Sequence, residues 1–194
     1  MTRVAGDLVE LRPVQGPDAM SDDGLIVACA AGDRAARALL FERYAAAVYR
    51  LVVRMRGSDN DVVDDLVQST FLAAFKAAHR LRGGNLRAWL YGIAINQVRE
   101  YARREVRRKR ALSRAAELVS CTPDSGGRDP AVAAHLPAAI AALPHPLRAA
   151  LILVDLEGER GADAAAALGI PEGTLWYRVH LARKAVRVAL GGEP

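Results

Sequence analysis

The apolar residues of this chain recur at the spacing of an α-helix. Leu40, Tyr44, Val48, Leu51 and Met55, for example, recur every three or four residues, which places them on one face of a helix. No segment shows the two-residue alternation of a half-buried strand. Hydrophobic residues make up 52% of the chain, much of it alanine, while aromatic residues are only 5%. Because alanine and leucine favour helices over strands, the sequence predicts an all-α fold.

Turn and linker residues divide these helices into two small domains. Residues 1–20 predict a disordered tail, because Pro13, Gly16 and Pro17 interrupt any pattern. A first domain is predicted over 21–111 and a second over 131–191. Between them, 112–130 contains the segment TPDSGGRDP, whose composition is typical of a flexible linker. At 194 residues, the chain is long enough for each domain to have a core of its own.

Short polar residues, prolines and glycines mark where helices begin and end. The predicted N-caps are Ser21, Asp33, Asn85 and Asp129, and Ser58 with Asp61 has the spacing of a capping box. Pro130 and Pro171 are predicted at the first position of their helices, and Pro144 and Pro146 at the start of another. Gly32, Gly57 and Gly191 are the predicted stops.

A basic segment ends the last helix of the first domain. Residues 99–110 contain seven basic and two acidic side chains. Their net charge of +5 is as large as that of the whole chain. Cations at a helix C-terminus are also favoured by the helix dipole alone, so the segment could be a solvated helix end. Trp89, Tyr91, Asn96 and Tyr101 lie just upstream. Cations beside rings that can stack on bases favour binding of single-stranded or melted DNA, although Trp89 is also compatible with the core.

The C-terminal segment has the layout of a helix-turn-helix. In residues 158–190 a short alanine-rich helix ends at a turn around Gly169, and a second helix starts at Pro171. The N-terminal residues of that second helix would face base edges in the major groove. Basic residues continue along it, at Arg178, Arg183 and Lys184. The alternative is a helical hairpin with an exposed basic face.

Other functional classes find little support. The four histidines show no metal-ligand spacing, and Gly83–Gly84 lacks the strand, spacing and lysine of a phosphate loop. We therefore expect no enzymatic activity, no cofactor and no metal. No apolar run predicts a signal peptide or a membrane-spanning helix. Cys29 and Cys121 stand far apart, which is typical of a cytoplasmic protein with free thiols.

Both domains resemble the small alternative sigma factors of the extracytoplasmic-function (ECF) group, in the sigma-70 family. The resemblance rests on the pattern D-L-V-Q-x-x-F followed by W-L-Y-x-I-A-x-N, which begins at Asp65 and Trp89, and on residues 142–158 followed by LGIPEGTLWYRVHLARK. It implies a promoter-melting sigma-2-like domain and a sigma-4-like helix-turn-helix domain. The implied function is to direct core RNA polymerase to promoters and to open the −10 DNA. The implied partners are core RNA polymerase, promoter DNA and an anti-sigma factor, with no direct membrane insertion.

The resemblance also implies three sets of site residues. The set for binding of core polymerase is Asp65, Leu66, Gln68 and Phe71, of which Leu66 and Phe71 are equally compatible with the core. The set for the −10 element is Asn85, Trp89, Asn96, Arg99, Arg103 and Arg104. The set for the −35 element is Thr174, Trp176, Tyr177, Arg178, His180, Arg183 and Lys184.

The chain departs from the family pattern at three places. Ser69 stands where relatives usually have an acidic residue. The helix GADAAAAL lacks common aromatic and acidic residues, and a glycine within a helix costs ~1 kcal/mol relative to alanine. Trp176 and Leu181 replace residues that are often basic, and Tyr177 replaces a small polar one. Two other hypotheses therefore stay open: a degenerate sigma-like regulator acting through protein contacts, and a helix-turn-helix repressor or activator.

Overall fold

A computed structural model describes residues 20–56, 60–81, 83–117 and 136–191, and within them the chain is all-α, as the sequence predicts. The first part contains α1 (Asp22–Ala30), α2 (Arg34–Arg56), α3 (Asn60–Ala77), a 3₁₀ turn (Ala78–Arg80) and α4 (Leu86–Glu117). The second part contains α5 (Leu136–Ala142), α6 (His145–Leu151), a π-helical turn (Ile152–Leu156), α7 (Gly161–Leu168) and α8 (Glu172–Ala189). No described helix is both long and apolar enough to cross a membrane.

Three predicted N-caps hold in the structure. The Ser21 hydroxyl accepts a hydrogen bond from the backbone N–H of Gly24 at 3.2 Å, and the Asp33 carboxylate accepts from Ala35 at 2.8 Å. The Asn85 side-chain oxygen accepts from the N–H of Ala88 at 3.1 Å. Pro171, however, is the N-cap of α8 and not its first residue. The capping box at Ser58 and the helix start at Asp129–Pro130 lie outside the described residues.

Helix α4 continues to Glu117, six residues into the segment 112–130 that the sequence analysis assigns to the linker. Arginine, lysine, alanine and glutamate are all good helix formers, so the basic segment continues the helix although its apolar stripe has ended. Two ion pairs along the helix add support: Glu100 with Arg103 at 3.0 Å, and Glu105 with Lys109 at 3.3 Å. The rest of the predicted linker, residues 118–130, is outside the described residues.

The apolar stripes face one another and form the core. Every residue of the α2 stripe named above is buried, as are Val63, Val67 and Phe71 of α3 and Leu86, Leu90 and Val98 of α4. The second part buries Leu151, Leu153, Leu175, Val179 and Ala182. The two parts are not separate in space, because α7 packs along α4 and α5 packs against α2. This contact decides what the candidate binding surfaces face.

Candidate nucleic-acid interface

The basic end of α4 lies on the surface. Arg99, Arg103, Arg104, Arg107 and Arg108 are exposed. The charge of Arg103 is partly neutralised by its pair with Glu100, whereas Arg104, Arg107 and Arg108 form a cationic surface suited to phosphates.

An open groove of about 500 Å³ follows this end of α4. It is lined by the apolar side chains of Ala102, Val106 and Pro146 and by arginines including Arg99 and Arg107. A groove lined by both apolar and cationic side chains can accept both rings and phosphates of a nucleic acid.

The aromatic residues of α4 are less accessible than their spacing suggests. Trp89 is half-buried and packs against the core. Tyr91 is 1% exposed, so it is not available for stacking on bases as the sequence analysis suggested. The Arg56 guanidinium lies 5.0 Å from the centre of the Tyr101 ring and covers one face of it. Trp89, which is half-buried, is therefore the better placed of these rings for contact with a base.

Both polar atoms of the Asn85 side chain, the oxygen and the nitrogen, have hydrogen-bond partners. Its oxygen caps α4, and its Nδ2 donates to Glu159 Oε2 at 2.9 Å and to Asp163 Oδ2 at 3.2 Å. Asn96 and Arg99 are exposed, but they line a cavity of about 320 Å³ together with Arg178 of α8. Residues that the sequence assigns to two different promoter elements thus lie in one cavity.

The residues assigned to polymerase binding divide into surface and core. Asp65 and Gln68 are exposed on α3, whereas Leu66 is 4% and Phe71 is 2% exposed. Leu66 and Phe71 thus lie in the core, the alternative that their sequence pattern left open, and both side chains pack between α3 and its neighbours. Leu72, which the sequence analysis did not select, is 53% exposed, so the accessible face is Asp65, Gln68 and Leu72 at i, i+3 and i+7.

Helix α8 packs through Leu175, Val179 and Ala182, which leaves the opposite face in solvent. Tyr177 is 64% exposed, and His180 and Lys184 are exposed beside it, while Thr174 and Arg178 are half-buried at its edge. Arg183 forms two hydrogen bonds with the Asp155 carboxylate, at 2.9 and 2.6 Å. A guanidinium held in this bidentate way stabilises the packing of α8 and would have to leave Asp155 to reach a phosphate.

Trp176 has a specific neighbour in the first helix of the helix-turn-helix. A side chain built onto Gly161 would place its Cβ 2.6 Å from the Trp176 ring, so the ring occupies the space that a larger residue would take. The indole N–H also donates to Glu172 at 3.2 Å. Because Gly161 is the first residue of α7, the cost expected for a glycine inside a helix does not apply there.

His145 lies between the two parts of the chain at the start of α6. Burial, and then the positive charges of Arg148 on its own helix and of Arg99 and Arg103 on α4, lower the pKa of this imidazole below 6.5, against a smaller opposing hydrogen bond with the backbone of Ile95. The folded protein therefore binds fewer protons than the unfolded chain as the pH falls through about 6.5. The free energy of unfolding should decrease in that range.

We expect the melting temperature to drop more between pH 7.5 and pH 5.5 in the wild type than in His145→Gln. The variant His180→Gln, which removes an exposed imidazole from α8, is the matched control and should follow the wild type. A His145→Gln variant that loses as much stability on acidification as the wild type would contradict this origin of the effect.

Comparisons with known proteins cover both parts of the chain. Residues 40–108 match the family model described as Sigma-70 region 2, and residues 135–186 match the one described as Sigma-70, region 4. The ECF RNA polymerase sigma factor SigE of Mycolicibacterium smegmatis is 34% identical over 171 residues, which are 84% of this chain and 66% of that protein. SigM of Mycobacterium tuberculosis is 30% identical over 88% of this chain and 85% of its own length.

Two solved structures are similar in fold. CnrH, in complex with the cytosolic domain of CnrY, has a TM-score of 0.62 and 26% identity, and the match covers 88% of this chain and 97% of that one. The sigma factor RpoE of Bartonella quintana, in complex with the anti-sigma factor NepR, has a TM-score of 0.59 and 27% identity, with 80% of this chain and 96% of that one covered. The similarity spans both helical parts.

Proposed function

Since this chain belongs to the ECF group of the sigma-70 family, we infer that it is an RNA polymerase sigma factor that directs the core enzyme to specific promoters. The observation that carries this function is the presence, in order, of regions matching Sigma-70 region 2 and region 4. A repressor or activator would need only the second of these regions. Sigma factors in general are regulators of transcription, and we expect this one to catalyse no reaction. We propose that it acts in the cytoplasm, where polymerase and chromosomal DNA meet.

The first domain is proposed to bind the polymerase and the −10 element. Asp65 and Gln68 on the exposed face of α3 are the proposed polymerase contacts, and we add Leu72 on the strength of its exposure. The −10 DNA is proposed to lie along α4, with Asn85, Trp89 and Asn96 near the bases. The arginines at 99, 103 and 104 would bind the phosphates, as arginine does on nucleic acids in general.

The second domain is proposed to read the −35 element through the exposed face of α8. Thr174, Trp176, Tyr177, Arg178, His180, Arg183 and Lys184 are the proposed residues, with Arg183 dependent on release from Asp155. The alternative of a degenerate, protein-binding regulator rested on Ser69, Trp176 and Leu181. Trp176 is 44% exposed, but its contact with Gly161 and its hydrogen bond to Glu172 give this tryptophan a structural role as well.

An anti-sigma factor is proposed as a further partner. Both solved proteins described above are complexed with another protein, which for the sigma factor RpoE is named as the anti-sigma factor NepR. The match to each covers most of this chain.

Transcription with purified components tests the function. Core polymerase with this protein should start transcripts at a limited set of sites on genomic fragments, with shared sequence near −10 and −35 in the DNA upstream. Core polymerase alone is the control. Transcripts that do not depend on the added protein would rule out a sigma factor.

Docking on the polymerase gives a second prediction. Asp65→Arg should weaken the affinity for core polymerase about thirty-fold or more, because losing one partner of a charge pair that becomes buried at an interface costs about 2–5 kcal/mol. Its free energy of unfolding should stay within about 0.5 kcal/mol of the wild type, since Asp65 is exposed. Glu42→Arg makes the same charge change at an exposed site on α2 and should leave the affinity unchanged.

Leu66→Ala provides the contrast, because it removes a buried side chain and should cost about 2–5 kcal/mol of stability. Co-purification and thermal melting separate the two effects. An Asp65→Arg variant that unfolds, or one that still binds normally, would remove Asp65 from the proposed interface.

A further inference from the structure

Four arginines near the end of α4 line the open groove described above. They are spaced at i, i+4, i+8 and i+11, which places them on one face of the helix, and they are Arg99, Arg103, Arg107 and Arg110. At a rise of 1.5 Å per residue they extend over about 16 Å of the helix. The first turn of α6 lines the groove too, through His145 and Pro146. We call this space, of about 500 Å³, the arginine groove.

The positive charge of the arginine groove is largely unneutralised. No acidic residue is among the described residues that line it. Arg103 pairs with Glu100 at 3.0 Å, whereas Arg99, Arg107 and Arg110 have no hydrogen bond or ion pair with another described residue. Like charges at i and i+4 destabilise a helix, so this row of arginines costs helix stability unless a bound anion offsets it.

The positive charge extends to the α6 side of the groove. Burial, and then the charges of Arg148, Arg99 and Arg103, lower the pKa of His145. The contribution of these three arginines means that the electrostatic potential there is positive, which favours an anion and disfavours a second cation. An anion in the arginine groove is thus favoured on the α6 side as well as along α4.

Apolar side chains lie between these cations. Ala102 and Val106 alternate with the arginines along α4, and Pro146 of α6 lines the same groove. Val106 is 47% exposed, so its apolar surface remains open to a ligand. Rings bind favourably to apolar side chains and to guanidinium groups. The arginine groove therefore combines binding groups for phosphates with a surface for a ring.

The size of the arginine groove suits one small molecule. Its volume of about 500 Å³ lies within the range of about 300–1,000 Å³ that is typical of ligand pockets. A strand of DNA would extend beyond a space of this size. A single nucleotide fits within it, and a triphosphate chain carries several negative charges close together, as the row of arginines requires.

We propose that the arginine groove binds a nucleoside triphosphate, with the phosphates on the arginines of α4 and the base against Val106 and Pro146. This binding site goes beyond the proposed function. Arg99 and Arg103 are also proposed to bind phosphates of the −10 DNA, so a bound nucleotide and the −10 DNA would exclude each other. That consequence alone rests on the proposed function.

Calorimetry on the free full-length protein tests the site with three probes, which are ATP, inorganic triphosphate and adenosine. We expect one ATP to bind per chain. ATP should bind about ten-fold more tightly than either of the other two, because each of them lacks one half of the contacts. Equal affinity for ATP and inorganic triphosphate would overturn the assignment to a nucleoside, since the arginines alone would then account for binding.

Arg110→Ala should weaken the affinity for ATP about ten-fold, as expected for the loss of a charge-assisted hydrogen bond. Arg108→Ala is the matched control, because it makes the same change two positions away at an exposed arginine that does not line the groove. It should leave the affinity for ATP nearly unchanged. Val106→Ser should weaken the binding of ATP and not that of inorganic triphosphate. All three positions are exposed, so circular dichroism and melting temperature should not change.

No binding of ATP, or an equal loss of affinity in Arg108→Ala and Arg110→Ala, would overturn the site. If Arg110→Ala weakens binding of single-stranded −10 DNA while ATP does not bind at all, the groove belongs to the path of the DNA and the proposal is wrong.

Competition with DNA is measured separately. ATP should displace labelled single-stranded −10 DNA from the wild type and not from Arg110→Ala, with inorganic triphosphate at the same ionic strength as the control. ATP that binds without displacing DNA would overturn the competition. Absence of promoter-specific transcripts from the wild-type holoenzyme would count against the proposed function, whereas the affinity of the free protein for ATP does not depend on that result.

Discussion

Holoenzyme carrying Arg104→Ala, Arg107→Ala and Arg108→Ala is expected to lose about 2–3 units from the slope of log affinity for promoter DNA against log salt. Each phosphate contact contributes about 0.7–0.9 to that slope through the release of counterions. These three arginines are exposed on α4. Arg103 is a weaker choice, because Glu100 lies 3.0 Å from it and already offsets part of its charge.

The control for this variant removes positive charge elsewhere. Arg34→Ala with Arg50→Ala changes two exposed arginines of α2, far along the sequence from the basic segment of α4. This double variant should keep the wild-type slope. Fluorescence anisotropy, measured from about 50 to about 400 mM salt, gives the slope for the wild type, the triple variant and the double variant. An unchanged slope in the triple variant would mean that these arginines do not contact phosphates.

Leu181→Arg in α8 should increase the preference of the holoenzyme for guanine in the −35 element by about 1–3 kcal/mol, the range for a bidentate arginine–guanine contact. The present helix offers rings and a half-buried leucine where such a contact would be made, with Trp176 44% and Tyr177 64% exposed. Rings contact thymine methyls but do not form the paired hydrogen bonds that distinguish guanine. We therefore expect the wild type to discriminate weakly at guanine positions.

Val188→Arg is the matched variant for this test. It adds the same charge at an exposed position two turns further from the N-terminus of α8, beyond the residues that face base edges. It should raise affinity for all sequences alike. Selection of promoters from a randomised −35 pool measures both effects. If Leu181→Arg changes affinity but not the selected sequence, α8 does not read bases in the proposed way.

Local features of the sequence were sufficient to predict the helices. Ser21, Asp33 and Asn85 cap helices through bonds to backbone groups two or three residues away, so each can be recognised without knowledge of the fold. The apolar stripes likewise follow from a period of 3.6 residues. The far end of α4 was less predictable, because after Tyr101 the helix is maintained by propensity and ion pairs and no longer by an apolar stripe.

Residues that one sequence pattern selects together differ in their burial in the structure. The spacing around Asp65 selects Leu66 and Phe71 together with Gln68, and only packing against α2 and α4 shows that the two apolar residues are in the core. Trp176 stands out in the sequence, but its ring has room only because residue 161, fifteen positions earlier and on another helix, is a glycine. Neither relation has a fixed spacing, so no periodicity could have indicated it.

The sequence by itself determined the all-α class, the order of the two domains and the basic character of α4 and α8, since these depend on composition and on contacts within a turn or two of helix. Only the tertiary structure decided what those helices face. Asn85 and Glu159 are 74 positions apart, and their hydrogen bond exists because α7 docks on α4 over a glycine. Such a contact depends on how two surfaces fit in three dimensions, and a linear pattern carries no information about that fit.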